Sequence, residues 1–115
     1  MDRTTIAPDE WVKYLEDFST RNRGRRARFE AFAEDTVMEE DEEAVFEGVS
    51  FHGDRFTVQR VIRTAGDQPI SDELTGIRGI AVQHDSDGSD NTIEFTDERG
   101  DLAILHFEST VDGEN

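Results

Sequence analysis

The first apolar stripe in the sequence follows a helical period. Trp11, Leu15 and Phe18 recur at intervals of three and four residues, which places them on one face of an α-helix. Pro8 suits the first helical position, and Gly24 suits the left-handed residue that ends a helix. We therefore predict a helix over 8–23. Its apolar stripe would be covered by the rest of the fold.

After Gly24 the period changes from helical to alternating, which is typical of β-strands. Strands are predicted over the following ranges: 26–33, 44–52, 55–62, 77–84, 92–96 and 102–107. Segments rich in acidic, glycine or proline residues between them are predicted to be loops, at 34–43, 65–74 and 85–91. The end of the chain, 109–115, is predicted to be a frayed tail.

The Gly53–Asp54 pair is typical of a two-residue hairpin turn, and this turn fixes a register that can be checked. Counting outward from it places aromatic and aliphatic residues opposite one another and joins one pair of opposite charge. The expected pairs are His52 with Arg55, Phe51 with Phe56, Val49 with Val58, Glu47 with Arg60 and Val45 with Ile62. Phe46 would meet Val61 on the other face.

Short connections favour antiparallel neighbours, because a parallel crossover needs a dozen or more residues. The predicted fold is an α+β domain in which the N-terminal helix packs on a curled, mostly meandering antiparallel sheet of five to six strands. A length of 115 residues is that of one domain, so 1–115 is expected to form a single unit.

Charge changes this picture more than any motif does. The chain carries 28 acidic and 12 basic residues, of which only Lys13 is a lysine, for a formal net charge of −16. Such a charge repels itself in the compact state, and dissolved salt screens that repulsion. Acidic surplus with arginine in place of lysine resembles the proteins of halophiles. We therefore expect a protein that works in a salty cytoplasm.

Composition also excludes several function classes. The chain has no cysteine, so it has no disulfide framework, thiolate nucleophile or cysteine-based metal site. No apolar run approaches the roughly 20 residues that span a bilayer, and the start lacks the features of a secretion signal. The negative charge would repel nucleic acids and anionic membranes. Eight phenylalanines and one tryptophan argue for a folded core and against a disordered chain.

Five arginines crowd into eight residues, and they form the first candidate site: Arg21, Arg23, Arg25, Arg26 and Arg28. Guanidinium groups bind phosphate and carboxylate in bidentate fashion, so this run could hold an anion. The alternative is that these arginines complement the helix C-terminus and pair with nearby acids. Alternation would also divide them between the two faces of a strand.

Two weaker candidates involve metal ions. Asp85, Asp87 and Asp90 surround Gly88 as in a fragment of a calcium loop, but the glutamate that should close such a loop is replaced by Thr96. An acidic hairpin loop is the favoured interpretation. The three histidines (His52, His84 and His106) form no metal-binding motif and would need three strands to bring them together. We expect no metal and no cofactor.

The segments Ile6–Trp11, Leu15–Ser19 and 100–107 together resemble a family of short bacterial and archaeal proteins with an N-terminal Pro-x-x-Trp helix and no assigned function. The resemblance would cover nearly the whole chain. It implies a compact, independent domain, and it brings no catalytic residues with it.

These observations favour a non-enzymatic binding or interaction module, acting through an exposed sheet edge or the arginine run. One alternative is a small ligand- or metal-dependent enzyme that uses a pocket lined by the sheet. A second is anion or nucleic-acid binding through 21–28. A protein partner fits the first hypothesis, and nucleic acid fits the charge poorly.

Overall fold

One α-helix and two antiparallel sheets make up the described part of the chain. The computed structural model describes residues 2–33, 36–39, 44–63 and 66–108. Within those ranges the elements follow one another along the chain as β1 Asp2–Ile6, a 3₁₀ turn Pro8–Glu10, α1 Trp11–Asn22, β2 Ala27–Ala33, β3 Thr36–Glu39, β4 Ala44–His52, β5 Arg55–Ile62, β6 Gln68–Thr75, β7 Ile77–His84, β8 Asp90–Asp97 and β9 Leu102–Phe107.

The strands divide into two sheets, so the prediction of one curled sheet was wrong. The large sheet has the order β1-β7-β8-β9-β2-β3, and the small sheet has the order β4-β5-β6. Each contains a sequential meander, but β2 pairs with the distant β9, and β1 pairs with β7. The chain changes sheets between β3 and β4 and again between β6 and β7, where Gly76 alone connects the two strands with a φ of 71°. A single residue is too short for a hairpin, so the chain crosses from one sheet to the other.

Three strands lie where the sequence predicts none. β1 precedes the helix, β3 lies inside the segment predicted as an acidic loop, and β6 replaces the loop predicted over 65–74. The proline in β6 misled the prediction, because proline is excluded only from central strands and β6 is an edge strand. The remaining residues of the acidic segment, 34–35 and 40–43, lie outside the described residues. The tail predicted at 109–115 lies outside them too.

The helix forms as its sequence signals predict. Trp11, Leu15 and Phe18 are buried on its inner face, and Gly24 ends it with a φ of 95°. The Trp11 indole Nε1 donates a hydrogen bond of 2.9 Å to the carbonyl oxygen of Ile6, which fixes the entry of the chain into the helix. The helix could be predicted from local signals because all of them lie within one continuous segment.

The β4–β5 hairpin keeps the predicted register only near its turn. Phe51 lies opposite Phe56, and Val49 opposite Val58. Beyond Gly48 a β-bulge inserts Glu47 as an extra residue, so Arg60 lies opposite Phe46 and the predicted pairs further along are wrong. A bulge shifts each later residue by one position.

The same bulge directs a pair of large side chains inward, and Phe46 and Arg60 are both fully buried. The other predicted partners also change, because Val45 lies opposite Val61 and Ala44 opposite Ile62. The alternation of apolar and polar residues does not predict the bulge, since it is typical of two strands that pair residue by residue without interruption.

Aromatic rings join the helix and the two sheets into one core. Phe18 of the helix contacts Phe46 of the small sheet and Phe107 of the large one, at ring-centroid distances of 5.8 and 5.6 Å. Trp11 packs edge-on against Phe56, which in turn contacts Phe95. Burial of these rings supplies much of the apolar stabilisation of the fold.

Candidate functional site

Two members of the arginine run bind groups of the protein itself. Arg21 donates from Nε to Asp90 Oδ2 at 2.7 Å and from a terminal nitrogen to Asp90 Oδ1 at 3.3 Å. Arg25 donates to the side chain of Asn22 and to the backbone carbonyls of Asp90 and Glu108. The anion that this end of the run holds is therefore a carboxylate of the protein itself.

Asp90 is the centre of a buried polar cluster at the C-terminal end of the helix. Its side chain is 4 % exposed, and it also accepts a hydrogen bond of 2.8 Å from Asn22 Nδ2. His84 Nε2 lies 3.3 Å from its Oδ1. These contacts connect α1 to the start of β8, and we call the four residues Arg21, Asn22, His84 and Asp90 the Asp90 cluster.

Opposing effects set the ionisation of Asp90. Burial acts to raise its pKa, but the hydrogen bonds from Arg21 and Asn22 and the charge of Arg21 outweigh burial and hold the pKa below its usual range. The same hydrogen bond raises the pKa of Arg21. Asp90 is thus an anion at neutral pH. Because its acceptor positions face the protein's own donors, the Asp90 cluster is a structural link.

The other three arginines separate from one another. Arg23 donates from Nε to the backbone carbonyl of Glu47 at 2.9 Å. The backbone of Arg26 bridges to Val45 of the small sheet, while its side chain is exposed. Arg28 lies on β2 opposite His106, again with an exposed side chain. The five residues therefore point to several parts of the fold, although anion binding by the run remains a prediction.

The aspartate loop is organised by hydrogen bonds of its own. Asp87 accepts from the backbone and hydroxyl of Ser89, and Asp85 accepts from Asn91 Nδ2 at 3.1 Å. Asp90 belongs to the Asp90 cluster, so the three carboxylates do not converge. Across the described ranges no group of three histidine, aspartate or glutamate side chains is placed to hold a metal ion.

The three histidines lie at separate places. His52 lies at the exposed end of the β4–β5 hairpin, and His84 lies in the Asp90 cluster. His106 Nε2 lies 2.6 Å from Glu30 Oε1, between β9 and β2. They do not form a common site.

A cleft opens between the two sheets, near the hairpin that joins β8 to β9. Its volume is about 220 Å³. Side chains of both sheets form an apolar floor, to which the small sheet contributes Leu74 and the large sheet Ala31, Ile77, Phe95 and Ala103. This floor is continuous with the core, because Ala31, Leu74 and Ile77 are partly buried and pack against it.

The rim of the cleft is charged. Arg99 lies 3.3 Å from Asp101 and 3.6 Å from Asp97, and its own side chain is 77 % exposed. Burial of Asp97 acts to raise its pKa, but hydrogen bonds from the backbone N–H groups of Asp101 and Arg99, together with the charge of Arg99, lower it below the usual range. Glu73 of β6 completes the acidic side of the rim.

β6 runs along this cleft as the edge strand of the small sheet. It pairs with β5 on one side, and no strand in the described part of the chain pairs with its other side, which we call the open edge. Residues 73–75 of this strand line the cleft. A sheet edge next to an apolar cleft can accept an added strand together with one of its side chains.

Sequence reasoning missed this site because it interpreted 65–74 as a loop. A partial signal was present, since the apolar Ile70 and Leu74 share one face of a strand and the polar Ser71 and Glu73 share the other. The structure gives the same alternation, with 70, 72 and 74 half-buried and their neighbours exposed.

No family model matches the chain, and neither the curated proteins nor the solved structures contain a match. The resemblance to a family with a Pro-x-x-Trp helix therefore stays a prediction. Among the described residues, no helix is both long enough and apolar enough to cross a membrane. Any functional proposal must rest on the geometry alone.

Proposed function

We propose that the protein is a non-enzymatic interaction module that binds an extended segment of another protein along the open edge of β6. The observation that carries this proposal is the position of that edge beside the cleft. Backbone hydrogen bonds to the edge would supply affinity, and the cleft would supply specificity by taking one side chain of the added strand. We place this activity in a salty cytoplasm because of the net charge of −16.

Pro69 indicates which backbone groups the edge offers. Proline has no N–H to donate to β5, so it fits a position whose N–H direction faces away from that strand. The direction alternates along a strand, and Ser71, Glu73 and Thr75 then present their N–H and C=O groups at the open edge. A partner strand would pair with this stretch.

The size of the cleft favours a side chain over a small molecule. Small-molecule and cofactor sites usually measure about 300–1,000 Å³, whereas this cleft measures about 220 Å³. This comparison reduces the support for an enzyme that uses this cleft. The inward contacts of Arg21 and Arg25 similarly reduce the support for anion or nucleic-acid binding through the arginine run.

A selection from a random peptide library tests the proposal. Peptides that bind the wild-type protein are measured against Ser71→Pro, which removes one edge N–H, and against Ser71→Ala, which keeps it. We expect Ser71→Pro to lose binding and Ser71→Ala to retain it, with both variants folded by circular dichroism.

Hydrogen exchange offers a second measurement on the unchanged protein. The amides of Ser71, Glu73 and Thr75 should exchange more slowly when a selected peptide is bound. A library that yields no binder, or binders that leave these amides unprotected, would contradict the proposed function.

A further inference from the structure

The charge of the open edge points to a particular class of partner. Among the edge-presenting residues Ser71, Glu73 and Thr75, only Glu73 is charged, and its side chain is 57 % exposed. Its carboxylate lies 3.9 Å from Nε of Arg55, whose side chain is equally open to solvent. Such an exposed ion pair is worth little, so Glu73 is available to a cation on an added strand.

The pairing geometry divides the partner's side chains into two sets. Residues directly opposite one another on neighbouring strands lie on the same face of the sheet. A partner residue opposite Glu73 would lie on the exposed face, beside that carboxylate. A partner residue opposite Leu74 would lie on the inner face and enter the cleft, whose floor is apolar.

A second copy of this chain fits the edge poorly. Glu73 is the centre of the stretch from Ser71 to Thr75, so a two-fold pairing of this stretch with itself places Glu73 opposite Glu73. Like charges directly opposite each other destabilise a strand pair. Each copy would also bring a net charge of −16 to the contact.

We propose, resting on the proposed function above, that the partner is an extended basic segment, with an apolar residue that enters the cleft opposite Leu74 and lysine or arginine residues beside it on the exposed face. The overall charge of the protein would draw such a segment toward the edge and repel acidic ones. Glu73 would then select for positive charge at the position opposite it.

Three synthetic octapeptides test this proposal. In all three peptides, the positions on the inner face of the added strand carry threonine, except for one central phenylalanine. The positions on the exposed face carry lysine in the first peptide, glutamine in the second and glutamate in the third. Binding is measured at the lowest KCl concentration at which the protein is folded. We expect the lysine peptide to bind at least about tenfold more tightly than the glutamate peptide, and this difference should shrink as salt rises.

Charge reversal at the edge makes the test local. Glu73→Arg should lower the binding affinity of the lysine peptide by about tenfold and raise that of the glutamate peptide. Glu16→Arg makes the same charge change on the exposed face of the helix, away from β6, and should alter binding less than about twofold.

The outcomes separate this inference from the proposed function. Equal binding of the three peptides, lost in Ser71→Pro, would overturn the basic partner and support the edge itself. Equal effects of Glu73→Arg and Glu16→Arg would overturn the role of Glu73. A dimer detected by sedimentation and abolished by Ser71→Pro would identify a second copy as the occupant and contradict the proposal. Failure of all three peptides would overturn the partner class, and the random library would then decide the proposed function separately.

Discussion

Replacement of Asp90 by asparagine should show how much the Asp90 cluster contributes to stability. The substitution keeps the shape of the side chain and removes its charge. Asp90 receives hydrogen bonds from Arg21 at 2.7 Å and Asn22 at 2.8 Å, and its side chain is only 4 % exposed. An amide in its place would direct an NH₂ group toward at least one of these donors.

The expected loss follows from the kind of contact removed. Hydrogen bonds to charged groups contribute about 1.5–3 kcal/mol each, and a buried donor left unsatisfied costs about 1–3 kcal/mol. Both short bonds end on Oδ2, so an asparagine that keeps its oxygen there weakens them to bonds with a neutral acceptor. Its NH₂ group then faces the Arg21 terminal nitrogen that lies 3.3 Å from Oδ1, and that donor is left unsatisfied. We therefore expect Asp90→Asn to lower the free energy of unfolding by about 3 kcal/mol, a large share of the roughly 5–15 kcal/mol of a typical domain.

Urea unfolding and thermal melts measure this loss. At about 4 °C per kcal/mol for a chain of this size, the melting temperature should fall by about 12 °C. Asp67→Asn is the matched control, because it makes the same charge change on an exposed residue. If the two variants unfold at the same temperature, the cluster does not stabilise the fold as argued.

The difference between wild type and Asp90→Asn should also depend on pH. The pKa of Asp90 is lower in the folded protein than the usual value of about 3.9. Between these two values the unfolded state binds more protons, so acid removes the stabilisation. The difference should be complete above about pH 5 and shrink as the pH falls through the folded pKa. A difference that grows in acid would refute the assignment.

Three further predictions test the fold and its setting. Melting temperatures should rise between 0.1 and 2 M KCl, because salt screens the repulsion of a net charge of −16, and coincident melts would reject the halophile hypothesis. Ser19→Ala should cost about 1–3 kcal/mol in urea unfolding, because the Ser19 hydroxyl accepts a 2.9 Å hydrogen bond from the buried backbone of Val49; an unchanged midpoint would contradict this. Phe18→Ala should cost about 3–5 kcal/mol, since it opens a cavity between the helix and both sheets, and a loss below about 1 kcal/mol would show that the core collapses around it.

The helix and the meander β7-β8-β9 could be predicted because their signals are local. The initial proline, the apolar stripe and the terminal glycine of the helix all lie within one segment, and β7 and β9 have the predicted bounds. β1 could not be found in this way, since its partner is β7, which begins 71 positions after Ile6 in the printed sequence. A short polar segment becomes a strand only when such a distant edge receives it.

The arginine run shows the same limit at the level of the site. The sequence shows five neighbouring cations but not the carboxylate that Arg21 reaches, because Asp90 is 69 residues away from Arg21. The aspartate loop and the arginine run therefore appeared as two candidate sites, and the structure joins them through one buried contact. The sequence therefore predicts where charged residues cluster along the chain, but it does not predict which residues they contact in the fold.

Internal ion pairs also explain why the surface should depend on salt and prefer basic partners. Only 12 basic residues face 28 acidic ones, and at least one of these cations is directed inside the fold, because the fully buried Arg60 pairs with Asp72 at 3.1 Å. Every cation placed inward is one fewer at the surface, where exposed carboxylates need compensation. Dissolved cations supply it non-specifically, and a basic segment on β6 would supply it at one place. Dissolved cations and a basic segment compete for the same carboxylates. Rising salt should therefore stabilise the protein while it lowers the binding affinity of the lysine peptide.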